Sequence, residues 1–301
     1  GLGLFCSSYL GLKKFIGGGA IAGGAIIAFG IMFMVDKLAN IIFGYIPYFL
    51  AKIFCPNSEK MIFYRYIVQH GDAHHLFLFS HEYDGFEVET YYDEACGLPY
   101  VVLPETEKRL YFKREMKKEK INGLFKALLM EQDPRSPHRY FDNLKEFKDR
   151  ILLDVGAAEG ILSLMAIEQV RHVYLFECEA EWAEALRKTF EPWKEKVTIV
   201  PKYVSDHNDG STTTLDAFFH DTPHPDLFIK MDIEGMERRA LDGARGLFSE
   251  KGNVAFSICT YHEKDDYQVI SSFLNEYGCT YSNATGYWSH RIKSIMLRGH
   301  N

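Results

Sequence analysis

Apolar residues crowd the start of the chain and then settle into two different rhythms. Residues 15–35, FIGGGAIAGGAIIAFGIMFMV, hold no charge over 21 positions. A helix of that length can cross a hydrocarbon core. A second uncharged run, 38–51, follows Asp36 and Lys37. Gly19 and Gly23 form a GxxxG pair, which lets another helix come close. Three readings compete for this segment: a membrane anchor, a pair of apolar helices packed on the protein or a partner, and a secretory signal. The last ranks lowest, because the apolar core is long for a signal and no cleavage-like boundary follows. Lys13 and Lys14 before the run, and Lys37 and Lys52 after it, set no orientation.

The next rhythm is short and strand-like. MIFYRYIV, HLFLFS, FEVETYY, LPYVVLP and KRLYFKRE are rich in aromatic and β-branched residues and are separated by turn signals, which predicts a small antiparallel sheet. KREMKKEKINGLFKALLMEQ (113–132) mixes charge signs and ends apolar, as a helix with one solvated face does. DPRSPHRY is a proline-punctuated loop. From about 148, strand and helix alternate: RILLDV, AAEGILSLMAIEQV, HVYLFE, AEWAEALRKTFEPW, KVTIVPKYV, DLFIKMDI, NVAFSICT and YHEKDDYQVISSFLNEYG. That alternation predicts βαβ units on a parallel sheet. Three regions result: an apolar helical segment over 1–55, a small β-rich region with a helix over 56–130, and an α/β domain over 131–301.

Composition narrows the function classes. The chain has 301 residues, a net charge of −7, 47% hydrophobic and 25% charged residues. This is an ordinary globular mix, with no basic, aromatic-interleaved stripe, so nucleic acid is not expected as a partner. The six cysteines are scattered and form no CxxC pair, which gives neither a disulfide framework nor a zinc finger.

The candidate chemistry starts at the first α/β strand. RILLDV runs into GAAEG, placing Asp154, Gly156 and Gly160 before a helix. Glycines there allow a tight turn and close approach to a ligand. The next strand ends in Glu177, 23 positions after Asp154, where an acid can accept both hydroxyls of an adenosine ribose. The loop lacks the middle glycine of the nicotinamide fingerprint and puts Glu159 at the helix start. An acid there repels pyrophosphate but tolerates an ammonium or sulfonium. S-adenosylmethionine therefore fits this loop better than a dinucleotide. The candidate cofactor-binding residues in these two turns are Asp154, Gly156, Ala157, Glu159 and Gly160, then Glu177 and Cys178. In FIKMDIEGMERR, Lys230, Asp232, Glu234 and Gly235 gather at a strand's carboxyl end, the edge where open α/β sheets bind ligands.

LLDVGAAEG, YLFECEAEW, TTTLDAFF, FIKMDIEGME and ICTYHEKDD, in this order and spacing, are similar to segments of the FkbM family of S-adenosylmethionine-dependent methyltransferases. The similarity covers roughly residues 130–300. EQDPRSPHRY resembles a branch of that family found with bacterial surface-polysaccharide genes. The resemblance implies a Rossmann-like, seven-stranded class I methyltransferase sheet whose last strand, SIMLRGH, runs antiparallel. It places Asp154, Gly156 and Gly160 in the first cofactor motif and Glu177 at the ribose. Ser205 and Asp206 flank the adenine, Asp232 and Glu234 sit beside the transferred methyl, and His262 lies after the fifth strand. The implied reaction is O-methylation of a carbohydrate or lipid-linked glycan hydroxyl. It would take place in the cytoplasm, or at the inner face of the membrane through residues 15–51. A polyketide or other small-molecule hydroxyl is the alternative acceptor, and a tethered scaffold without turnover is the alternative class.

Methyl transfer needs in-line alignment and a group to take the acceptor proton. Asp232 is the first candidate, with partial burial expected to raise its pKa; His262 is the second, and Glu234 stands beside them. A magnesium-assisted route, with Asp206, Asp232 and Glu234 as oxygen ligands, remains open, although no metal set is assigned. Arg135, His138, Arg139 and Lys230 are the candidate acceptor-binding residues. Trp182 and Trp193, eleven apart, are read as packing on one helix.

Overall fold

The computed structural model describes residue 38 and residues 40–58, 60–71, 75–220, 226–250, 254–288 and 291–301. The apolar run 15–35 lies outside the described residues, and with it the three readings of that run. The chain divides into two units, one reaching to His81 and including Tyr287–Ile292, the other Glu82–Gly286 with Lys293–Asn301.

In the first unit, a π-helical turn (Asn40–Tyr45) runs into α1 (Ile46–Phe54), whose first turn accepts Pro47 because no intrahelical N–H is needed there. A second helix, α2 (Lys60–His70), buries Met61, Tyr66 and Ile67. Gly44 is the point of approach: a Cβ there would stand 2.8 Å from Ile67 Cγ2. The sequence pattern reads MIFYRYIV as a strand, yet it is α2. Its aromatic content is strand-like, but Phe63, Tyr66 and Ile67 recur at helical spacing, and packing on Gly44 selects that period. A short strand, β1 (His75–Leu76), pairs antiparallel with Tyr287 and Trp288. No helix among the described residues is long and apolar enough to cross a membrane.

The second unit begins with the expected small antiparallel sheet, β2 (Tyr91–Asp93), β3 (Leu98–Val102) and β4 (Arg109–Tyr111). Then follow α3 (Lys118–Gln132), β5 (Ile151–Val155), α4 (Ile161–Ala166), β6 (His172–Phe176), α5 (Ala180–Thr189) and β7 (Val197–Val200). Next come β8 (Tyr203–Val204), β9 (Thr212–Thr213), α6 (Leu215–Phe218), β10 (Leu227–Met231), α7 (Glu237–Asp242) and α8 (Arg245–Ser249). The chain ends with β11 (Val254–Cys259), α9 (Asp266–Glu276), β12 (Thr280–Trp288) and β13 (Arg291–His300).

The main sheet is a mixed α/β sheet in the order β12-β13-β11-β10-β5-β6-β7. Strands β11, β10, β5, β6 and β7 are parallel, and β13 runs antiparallel to β11, as the resemblance implies. All five positions of β5 and of β10 are buried, which explains why they read as continuous apolar runs rather than alternating ones. α5 turns Trp182, Ala183, Ala185, Leu186 and Thr189 inward, the stripe of a helix packed on a sheet. Trp193 does not share that helix: Pro192 ends it, and Trp193 lies in a separate turn, Glu191–Trp193.

Strand order reverses between β5 and β10. From β5 the chain moves outward to β6 and β7; β10 and β11 lie on the other side. The crevice beyond the carboxyl ends of two such strands is where open α/β sheets bind ligands. Register places Val155 beside Met231, so the loops starting at Gly156 and Asp232 leave the sheet as neighbours.

Candidate active site

Two cavities open at this switch point. The larger, about 800 Å³, is bounded by Glu177, Cys178, Trp182, Tyr203, Ser205 and Met236 among others. The smaller, about 100 Å³, is bounded by Glu131, Gln132, Asp154, Ala157, Glu159 and Lys230 among others. Gly156, Ala158 and Asp232 line both.

Gly156 has φ +79°, and a Cβ on it would stand 2.1 Å from the Asp232 carbonyl oxygen. Only glycine permits both the conformation and the contact. Ala158 follows at φ +47°, a strained value for a residue with a Cβ. Its N–H donates to Glu177 Oε2 at 2.9 Å, and Glu179 N–H donates to Glu177 Oε1 at 2.7 Å. The Glu177 carboxylate is thus held by two backbone amides at the cavity wall. Each oxygen keeps a lone pair for a ligand hydroxyl.

Asp154 is 1% exposed. Its charge is met by Lys230 Nζ, 3.1 Å from Oδ1, and by the Ser163 hydroxyl, which donates to Oδ2 at 2.6 Å. Lys230 also donates to the Gly156 carbonyl at 2.6 Å, and its ammonium lies 5.4 Å from the Tyr140 ring centroid. Burial opposes the Lys230 charge, but Asp154 and Asp232 outweigh it and push its pKa up. Lys230, expected as an acceptor ligand, is therefore tied down as the strut that joins β10 to the glycine loop.

Asp232 accepts from Tyr140 Oη at 2.8 Å and from Tyr261 Oη at 3.1 Å. Burial opposes its charge, yet Lys230, then His138 and His262, and the Tyr140 hydroxyl overcome this and hold the carboxyl at about 2. The expectation that burial would raise this pKa fails because Lys230, two imidazoles and the Tyr140 hydroxyl together outweigh burial. His262 bridges two acids: Nδ1 is 2.9 Å from Glu237 Oε1 and Nε2 is 3.4 Å from Asp232 Oδ1. Burial would lower its pKa, but Glu237, Asp232 and Glu234 raise it, which biases the imidazole toward its charged form. Glu237 is fully buried and also accepts from the Ile233 N–H at 2.8 Å. The turn from β10 into α7 is shaped by two left-handed residues, Glu234 (φ +56°) and Gly235 (φ +96°). It leaves the Glu234 side chain 70% exposed at the mouth.

Other expected residues fall elsewhere. Cys178 and Ser205 line the larger cavity; Ala157 and Glu159 line the smaller. Gly160 lines neither; it caps α4 at φ +80° against Leu186. Asp206 is taken by Arg239 and His207, so it does not join Asp232. Arg135 lines neither cavity: its guanidinium forks onto Glu82 and Asp133. Arg139 also stays outside both, stacked over the Phe141 ring at 4.6 Å. His138 is 2% exposed and packs on Tyr261; burial lowers its pKa to about 4. Among the described residues, the groups able to converge on a metal are His138 with Asp232 and Cys259, and Asp232 with Glu237 and His262. The oxygen trio Asp206, Asp232 and Glu234 is not among them, which removes the stated basis for magnesium. Tyr140, Tyr261, Glu237 and Glu131 were not singled out from the sequence, and Gln132 entered only as a neighbour of the proline-punctuated loop. Only its position in the EQDP stretch hinted at Glu131.

The smaller cavity has a distinctive wall. Both amide atoms of Gln132 are buried without a hydrogen-bond partner. Burial, aided by Asp232 and Glu159, raises Glu131 to about 8. Burial also raises Glu159 to about 7, with Asp154 adding to the rise. Unsatisfied amides and uncharged acids are costly when buried, and a ligand bearing ammonium and carboxylate would satisfy them. These residues fit the amino-acid end of S-adenosylmethionine, as Glu177 fits its ribose.

A pH dependence follows. The ammonium of the amino-acid end favours the ionised acids, so affinity for S-adenosylhomocysteine rises as pH climbs through about 7 to about 8, with protons released on binding. In the ligand-free protein the sign reverses. Both folded-state values lie above the ordinary 4.5, so these acids remove stability as pH rises from 4.5 toward about 8. Calorimetry in two buffers of different ionisation enthalpy reads the proton release; affinity independent of pH would refute the assignment.

No curated protein matches this chain. Among solved structures it is similar to methyltransferase FkbM from Methylobacillus flagellatus KT, at 17% identity and TM-score 0.42, covering 60% of this chain and 54% of that one. It is also similar to precorrin-6y C5,15-methyltransferase from Geobacter metallireducens GS-15, at 17% identity and TM-score 0.36, covering 52% and 82%. A Streptococcus mutans protein solved in complex with SAH matches at 11% identity and TM-score 0.38, covering 52% and 93%. The chain spans about half the length of the first of these. Residues 203–281, the stretch that holds Asp232, Glu234, Glu237 and His262, match the family model of the methyltransferase FkbM domain.

Proposed function

We propose that the chain is an S-adenosylmethionine-dependent O-methyltransferase acting on a carbohydrate hydroxyl. One observation carries the reading: Gly156, Ala158 and Asp232 line both a cavity walled by the anchored Glu177 and a smaller one walled by Glu131, Gln132 and Glu159. A long ligand with a ribose at one end and an amino acid at the other suits that pair of spaces. When bound, the cofactor supplies an electrophilic methyl on a sulfonium. Glu177 binds the ribose hydroxyls, Gln132 and the two acids bind the amino-acid end, and Trp182 gives apolar surface to the adenine side.

Asp232 stands at the junction. As the acceptor oxygen forms its bond to carbon, its proton becomes far more acidic than a carboxylic acid. A carboxylate held at about 2 can then take it, despite being a weak base toward a free alcohol. Tyr140 and Tyr261 fix the orientation of that carboxylate, and His262 with Glu237 keeps it anionic. Of the residues lining the larger cavity, Tyr203 is 62% exposed and the Glu234 side chain 70% exposed. A ring face for C–H groups beside a hydroxyl acceptor suits a sugar better than a flat apolar polyketide.

Asp232→Asn keeps the shape and removes the charge. With saturating cofactor, kcat is expected to fall on the order of 10²–10⁴-fold, measured as methylene mass gain on nucleotide sugars and oligosaccharides. Transfer only to polyketide or other small alcohols would move the acceptor class. Binding of S-adenosylhomocysteine without any transfer would favour the scaffold.

A further inference from the structure

The helix formed by Asn40–Tyr45 and α1 is turned inside out relative to a normal surface helix. Its small residue, Gly44, is buried against Ile67, whereas eight of its large apolar side chains are exposed. Exposed large apolar side chains stand at 41 and 42, 45 and 46, 49 and 50, and 53 and 54, from 45% at Ile42 to 75% at Phe54. Two adjacent positions recur every four residues, giving a broad stripe sustained along the whole helix. α1 itself has no buried residue.

From this we propose that residues 40–54 lie in one leaflet of a lipid bilayer, with the stripe among the acyl chains. Water is a poor solvent for such a surface, since soluble monomers seldom expose contiguous apolar patches of this kind. A second copy of the chain is a weaker occupant, because helix pairing needs only a narrow seam and leaves its flanks polar. Three further features favour lipid. The helix follows, after Asp36 and Lys37, the uncharged run 15–35. Lys52 is the only charged residue between 38 and 58. Around it, Lys52, Lys60 and Arg65 outnumber the single acid Glu59, in a chain whose net charge is −7, which suits an anionic headgroup layer. Fifteen residues of helix span about 22 Å, short of the ~30 Å hydrocarbon core, so the segment lies in the interface rather than crossing it. Lys52 can snorkel to the headgroups. This inference is independent of the methyltransferase reading.

The test uses the full chain and vesicles of phosphatidylethanolamine and phosphatidylglycerol. The parent chain is expected to float with the vesicles. The indole introduced by Phe49→Trp is expected to shift to the blue on binding and to be quenched by lipids brominated on their acyl chains. The double change Phe49→Glu with Phe54→Glu is expected to lower the vesicle-bound fraction on the order of tenfold or more, with an unchanged melting curve because both side chains are exposed. Failure of the parent to float, or equal flotation of parent and double variant, overturns the proposal. So does an unquenched indole, which would place the anchoring elsewhere. A lipid-free dimer that the two glutamates dissolve would assign the face to a second copy instead.

Discussion

Replacing Glu177 by Ala is expected to weaken S-adenosylhomocysteine binding on the order of a hundredfold, while the chain stays folded. Two hydrogen bonds from ribose hydroxyls to an ionised carboxylate are lost, at about 1.5–3 kcal/mol each. Part of that is recovered by water in a cavity of about 800 Å³. A second contribution comes from the loop: Ala158, at φ +47°, loses the acceptor that helps hold its N–H. Titration calorimetry measures the affinity, and circular dichroism melting confirms the fold. Retained affinity in a folded variant would remove the ribose role and, with it, the orientation assigned to the cofactor.

The second large effect is on stability. Lys230→Met leaves the Asp154 carboxylate in a fully buried strand with only the Ser163 hydroxyl as partner. It also strips a donor from the Gly156 carbonyl. Breaking a buried pair by removing one member costs about 3–5 kcal/mol. A loss of that size in denaturant unfolding is expected, and Asp154→Leu in the same chain is expected to recover much of it, because the orphaned charge is then gone. If Lys230→Met unfolds like the parent and fails only in acceptor turnover, the residue is an acceptor ligand after all.

Some of the site was legible along the chain. The order strand, glycine loop, helix, strand, acid placed Asp154, Gly156 and Glu177 at one sheet edge, because sheet topology forces successive βα turns to that edge. Glu177 and Asp232 both line the larger cavity at that edge. Residues whose role depends on charge balance were not legible. Asp232 was expected to be a raised acid, and it is held low because its near neighbour Lys230 is joined by His138, His262 and the Tyr140 hydroxyl, which come from two other segments. Nor does any local pattern reveal Glu237, since an acid in the first turn of a helix ordinarily serves the helix dipole. Here it is buried against His262. Arg135 looked like a ligand grip, and Glu82, 53 positions away, claims it.

By itself the sequence determined the α/β class, the alternation of β5 through β11, the small antiparallel sheet and the glycine loop with its distal acid. These follow from local periodicity, turn chemistry and right-handed crossovers, which act over tens of residues at most. Tertiary structure decided that MIFYRYIV is a helix. It also locked Lys230 beneath Asp154, set the ionisation of Asp232, His262, Glu131 and Glu159, and left the apolar face of residues 40–54 outward. Each of those outcomes depends on which distant side chains share a small volume with poor access to water, and no local stretch of sequence encodes that proximity.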